Sequence, residues 1–72
     1  MHKYKINLVT MADARNFSNA VANIEGKVDL IDGSGYCVSA HSMLGAVAAL
    51  EWKELYCLSE KEISSQILDF IC

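Results

Sequence analysis

Apolar and polar positions along the chain change period several times, and each change marks an element. From Lys3 to Leu8 they alternate, with Tyr4, Ile6 and Leu8 on one side, as in a strand covered on one face. Val9 to Ala14 breaks the alternation and reads as a loop. Phe17, Ala20, Val21 and Ile24 then recur at i, i+3, i+4 and i+7, the stripe of a short amphipathic helix. Gly26 stands just past its end, and Asp13 or Asn16 is its expected N-cap. Val28 to Ile31 and Tyr36 to Ser39 read as strands joined through Asp32-Gly33-Ser34-Gly35, which is turn chemistry.

A second helical run begins at Ser42 and carries Met43, Leu44, Val47, Ala48 and Leu50. Inside it Gly45 costs about 1 kcal/mol relative to alanine, unless packing or a close partner requires it. Glu54 to Leu58 is a fourth strand. Ser59-Glu60-Lys61-Glu62 then has the spacing of a capping box, and predicts a third helix with Ile63, Ile67, Phe70 and Ile71 on one face.

The order β-α-β-β-α-β-α, with a hairpin in the middle, predicts an α+β fold. Its expected form is an open-faced sandwich, a four-stranded antiparallel sheet with three helices on one face and the other face wet. Tyr4, Ile6, Leu8, Phe17, Val21, Ile24 and Val28 are expected in the core. Leu30, Val47, Leu50, Leu55, Ile63, Ile67 and Phe70 should complete it.

Composition agrees with one small globular domain spanning residues 1–72. The apolar fraction is 53%, no proline interrupts the pattern, and four glycines loosen it little. The net charge of −3, with cations scattered at Lys3, Lys5, Arg15, Lys27, Lys53 and Lys61, argues against a nucleic-acid partner. No apolar run approaches the roughly 18 residues of a membrane span, and MHKYKINL has no long apolar region of a signal peptide. Cys37, Cys57 and Cys72 are an odd set without a CxxC pair, expected as reduced thiols in a cytoplasmic protein. Cys37 and Cys57 are expected to be small buried packing groups.

The chain offers little for catalysis. Two isolated histidines and separated cysteines form no metal-ligand set, and the GSG stretch lies in a hairpin rather than between a strand and a helix. No nucleophilic triad can be argued. The expectation is a non-enzyme without cofactor or metal.

Residues Val38 to Leu50, VSAHSMLGAVAAL, change that picture. Their position at the third strand and second helix resembles HPr, the phosphocarrier family of the bacterial sugar phosphotransferase system. Ser42, Met43, Leu44 and Gly45 follow the family's serine, apolar pair and glycine in the form typical of Gram-positive bacteria, and Asp32-Gly33 is similar to its hairpin turn. The resemblance spans the chain in element order and is specific over the thirteen residues from Val38. It implies an HPr-like open-faced β-sandwich.

The same resemblance implies that Ser42 is phosphorylated by HPr kinase in carbon catabolite repression, and that Met43 and Leu44 form part of a partner-binding patch. A phosphate there meets the free amides and positive dipole end of a helix. Each residue also has a plainer role, Ser42 as an N-cap hydroxyl and the apolar pair as core, with one of the two facing solvent.

The chain departs from the family at the first helix. Where HPr carries its catalytic histidine, then a residue, an arginine and a proline, this sequence has Asp13-Ala14-Arg15-Asn16. An imidazole is a good nucleophile near pH 7 and passes phosphate on; a carboxylate is weaker, with a different transfer potential. Asp13 is therefore either a helix cap or a non-histidine acceptor, while Arg15 offers a planar fork for a phosphate or a partner carboxylate. His2 and His41 stand elsewhere and do not replace the missing group.

The expected function is sugar-transport regulation as an adaptor, without histidine relay. The implied partners are HPr kinase and a transcription regulator or other phosphotransferase-system components, met by a monomer. The alternatives are a phosphocarrier using Asp13 and a diverged binding domain of this fold.

Overall fold

A computed structural model describes every residue from Met1 to Cys72. The elements run β1 (His2–Lys5), α1 (Met11–Val21), β2 (Val28–Ile31), β3 (Cys37–Ser39), α2 (Met43–Ala49) and β4 (Tyr56–Ser59), followed by one 3-10 turn at Leu68–Phe70. The four strands form one antiparallel sheet in the order β1-β4-β2-β3. β4 is central, so Cys57 stands between Tyr4 of β1 and Leu30 of β2.

Alternation decides which face of the sheet is covered. Val28 and Leu30 on β2, and Cys57 and Ser59 on β4, are buried, while their neighbours are only partly so. Burial pushes the Cys57 thiol up to about 12, and it packs as a neutral apolar group. Over this face α1 lays Ala14, Phe17 and Val21, with the Phe17 ring edge-on to Phe70 at 5.3 Å between centroids.

Ala40, Ala46 and Ala49 are fully buried beside them. They were not among the expected core residues because a small side chain adds little to an apolar stripe. Ile6, Leu8, Leu55, Ile63 and Ile67 complete the interior, and Tyr4, Ile24, Val47, Leu50 and Phe70 pack partly buried against it.

α1 starts earlier than its apolar stripe suggests. Thr10 is the N-cap, its hydroxyl accepting from the Asp13 amide at 3.1 Å, so neither Asp13 nor Asn16 occupies that position. The signal was Thr10-Met11-Ala12-Asp13, a capping box closed by aspartate rather than the usual Glu or Gln. Cys37 also departs from expectation, since it is exposed on the edge strand β3 while Cys57 is buried.

The third α-helix does not form. Ser59 is the last residue of β4, paired with His2 and Val28, and its hydroxyl turns back on Lys61, donating to the carbonyl at 2.7 Å and accepting from the amide at 3.1 Å. Glu62 accepts from the Ser64 amide and the Tyr4 hydroxyl instead of closing a capping box, and Glu60 accepts from the Lys27 amide at 2.7 Å. A single turn carries Ile63 and Ile67 inward. The chain then straightens, because Ile71 pairs with Ile6, and Lys5 and Asn7 bond Cys72 and Phe70 along the outer side of β1. Two helices therefore accompany the sheet, with a 3-10 turn in place of the third.

No helix is long and apolar enough to cross a membrane. The Tyr4 hydroxyl adds a side-chain link between β1 and the C-terminal segment, accepting from the Ile63 amide at 3.0 Å. Tyr4→Phe leaves that amide without its partner and should lower stability by about 1 kcal/mol in urea unfolding. An unchanged midpoint would show that the bond contributes nothing.

Candidate functional site

Ser42 is exposed and caps α2, its Oγ accepting from the Gly45 amide at 3.3 Å. Its backbone is extended, as an N-cap requires, and its own amide donates to the Ser39 carbonyl at 3.2 Å. No acidic residue stands in the first turn of α2. A negative group on Ser42 Oγ would therefore meet helix amides without an opposing carboxylate in that turn.

The next two residues face outward. Met43 is 42% exposed and Leu44 82%, so the expectation that one of them packs while the other is free does not hold. The reason is Gly45. A Cβ at that position would stand 2.8 Å from the Ser39 carbonyl oxygen and 3.2 Å from a Val38 methyl. α2 thus rests directly on β3, with Ala46 and Ala49 as its buried contacts. A helix seated on glycine and alanine leaves Met43 and Leu44 at the surface, while Val47 packs partly buried against the core.

His41 fixes the same helix from its other side. Its Nε2 lies 3.1 Å from the Val21 carbonyl, the last residue of α1, and so supplies a hydrogen bond to a helix-end carbonyl. The sequence identified His41 only as a residue unable to replace the missing acceptor. Nothing in the pattern of residues revealed that it ties α1 to the start of α2.

Asp13 and Arg15 lie toward the other end of α1. Eight residues separate Asp13 from Val21, about 12 Å of helix at 1.5 Å per residue. Asp13 is the third residue of α1, and its Oδ2 accepts from the Val9 amide at 3.0 Å and the Thr10 amide at 3.1 Å. Those backbone bonds hold its carboxyl below the usual aspartate range. Arg15 is exposed and has neither a hydrogen bond nor an ion pair within the chain. The sequence-expected residues are thus divided, Ser42, Met43 and Leu44 at one location and Asp13 and Arg15 at another.

A groove of about 600 Å³ runs beside Asp13, between α1 and the C-terminal segment. Asn7, Asn16, Gln66 and Asp69 contribute its polar lining, and no cationic side chain does. An incoming phosphate would meet two carboxylates, Asp13 and Asp69, without compensation. No group of three or more His, Cys, Asp or Glu side chains is placed to hold a metal ion. Comparison with protein-family models, with curated proteins and with solved structures finds no match to the chain.

Two measurements check this geometry. Gly45→Ala should gain helix propensity yet lose more to the contact with Ser39, a net destabilisation of about 1 kcal/mol. A stabilised variant would mean that α2 can lift from β3 at no cost.

The second concerns acid. The depressed carboxyl of Asp13 stabilises the folded chain above the ordinary aspartate pKa of 3.8, and that contribution disappears as pH falls through the lower folded value. Asp13→Asn should consequently be less stable at neutral pH, and the difference from the parent chain should shrink on acidification below about pH 4. A pH-independent difference would assign the Asp13 contribution to something other than its charge.

Proposed function

We propose that this chain is an HPr-like regulatory or adaptor domain, acting through Ser42 and the adjacent Met43–Leu44 surface and not as a histidine phosphoryl carrier. The observation that carries the reading is the combination at the start of α2: an exposed hydroxyl at the N-cap, followed by two exposed apolar side chains. An N-cap hydroxyl is reachable by a kinase, and exposed apolar residues beside it give a partner something to bury. The β-α-β-β-α-β order and the single open antiparallel sheet support the HPr-like architecture that VSAHSMLG implies.

The modifying partner on this reading is HPr kinase, and the responding partner is a transcription regulator or another component of the phosphotransferase system. The unpaired cysteines are in keeping with work in the cytoplasm. Arg15, free of internal partners, is available to a carboxylate or phosphate of the responding protein. The chain itself transforms no substrate.

Relay through Asp13 has no comparable support. Its Oδ2 already receives two backbone amides, its carboxyl is held anionic, and the groove beside it carries a second carboxylate. A phosphate on Asp13 would weaken the bonds its carboxylate accepts from the Val9 and Thr10 amides.

The test uses both enzymes. HPr kinase with ATP should label the chain, mass spectrometry should locate the phosphate on Ser42, and Ser42→Ala should abolish labelling while Ser39→Ala preserves it. Phosphoenolpyruvate with enzyme I should leave the chain unlabelled under conditions that label an authentic HPr. Absence of kinase labelling would remove the regulatory reading. Hydroxylamine-sensitive phosphate arriving from enzyme I would make Asp13 an acceptor and the chain a carrier.

A further inference from the structure

The sheet has a second face, and no helix of the chain covers it. Strand alternation and register place two cross-strand rows there, Lys3–Leu58–Asp29–Ser39 and Lys5–Tyr56–Ile31–Cys37. Ile31, Tyr56 and Leu58 form a half-buried apolar strip at the centre, at the middle of the sheet rather than at an edge. The rim is cationic. Lys3 Nζ lies 4.4 Å from the Tyr56 ring centroid, Lys5 is exposed one row away, and Lys27 Nζ is 3.6 Å from Asp29 Oδ2.

Lys3, Lys5 and Lys27 thus border this face, against two carboxylates: Asp29, which Lys27 pairs, and Glu60, which accepts from the Lys27 amide at its margin. The face carries a small positive excess, three cations against two carboxylates, on a chain whose net charge is −3. The remaining surface is accordingly acidic, and the separation of charge orients an approaching anionic partner toward the sheet.

We propose that the open sheet face docks an acidic amphipathic helix of a partner protein. Its apolar stripe would cover Ile31, Tyr56 and Leu58, and its flanking carboxylates would meet Lys3, Lys5 and Lys27. The dimensions agree. Four strands about 4.8 Å apart span roughly 14 Å between outer axes, and a helix with side chains is about 10–12 Å wide. A single-stranded nucleic acid fits less well, because the face has one aromatic ring and Lys3 already covers it. The Ser42 surface lies on α2, across the sheet, so occupation of this face is independent of modification there.

The probe is a capped synthetic peptide of about fourteen residues, with a leucine stripe flanked by glutamates at helical spacing. Titrated into the ¹⁵N-labelled chain, it should shift the amides of Lys3, Ile31, Tyr56 and Leu58, and added salt should weaken it. Lys3→Glu with Lys5→Glu should reduce affinity about tenfold, judged from two exposed charge pairs. Ser42→Asp should leave affinity unchanged. Should charge reversal disturb folding by circular dichroism, Lys3→Gln with Lys5→Gln gives the same readout with a smaller loss.

Absence of shifts, shifts centred on α2, or equal binding by a scrambled peptide or a lysine-for-glutamate version would overturn the proposal. Displacement of the peptide from this face by an oligothymidylate at lower concentration would also overturn it, in favour of nucleic acid.

Discussion

The close approach of α2 to β3 is the contact on which the rest of the arrangement depends. It exists because position 45 has no side chain, leaving the Ser39 carbonyl and Val38 in the space a Cβ would occupy. A glycine inside a seven-residue helix is a poor choice on propensity alone. The packing it permits sets the height of the helix over the sheet, brings Ala46 and Ala49 to full burial, and rotates Met43 and Leu44 outward. His41 then fixes α2 along α1 through the Val21 carbonyl. One missing methyl group thus links local backbone, core packing and the exposed surface that a partner would read.

Much of this was legible in the sequence where the signal was periodic. The strand alternation around Val28, Leu30 and Cys57, and the Phe17–Val21 stripe, survive in the structure because the same residues that show the pattern are the ones buried. The C-terminal third was misread for a physical reason. Ser59, Glu60 and Glu62 have the spacing of a helix start, but each bonds elsewhere: Ser59 to Lys61 and Glu62 to Ser64 in local turns, Glu60 to Lys27 and Glu62 to Tyr4 across the fold. A short helix has little cooperative stability of its own, so these competing bonds decide its fate. The Ile6–Ile71 bridge then requires extended backbone where a helix would have continued.

The candidate site was legible in its residue types and not in its distances. Ser42 was visible as an N-cap and is one, yet the sequence placed Asp13 in doubt between cap and acceptor because both need an aspartate near a helix start. In the structure Oδ2 of Asp13 accepts from two backbone amides of its own loop, the side-chain half of the capping box that Thr10 opens. The positive face formed by Lys3, Lys5 and Lys27 was not legible either. Scattered along the chain they read as an unclustered set; the register of β1 brings Lys3 and Lys5 to one side, and the ion pair with Asp29 brings Lys27 there.

The size of the forces at α2 also indicates how a phosphate on Ser42 would act. Interaction of an anion with a helix N-terminus is worth about 0.3–1 kcal/mol at an exposed site. That is small against the buried contacts holding α2 through Ala40, Ala46 and Ala49, whose removal from the core would expose fully covered apolar surface. Modification would therefore leave the fold in place and change what the surface presents. A double negative charge beside Met43 and Leu44 disfavours any partner that must desolvate Ser42 to reach them, and favours one that brings a cation. A phosphate on Ser42 would thus select among partners by charge beside an exposed apolar pair, with no conformational switch required.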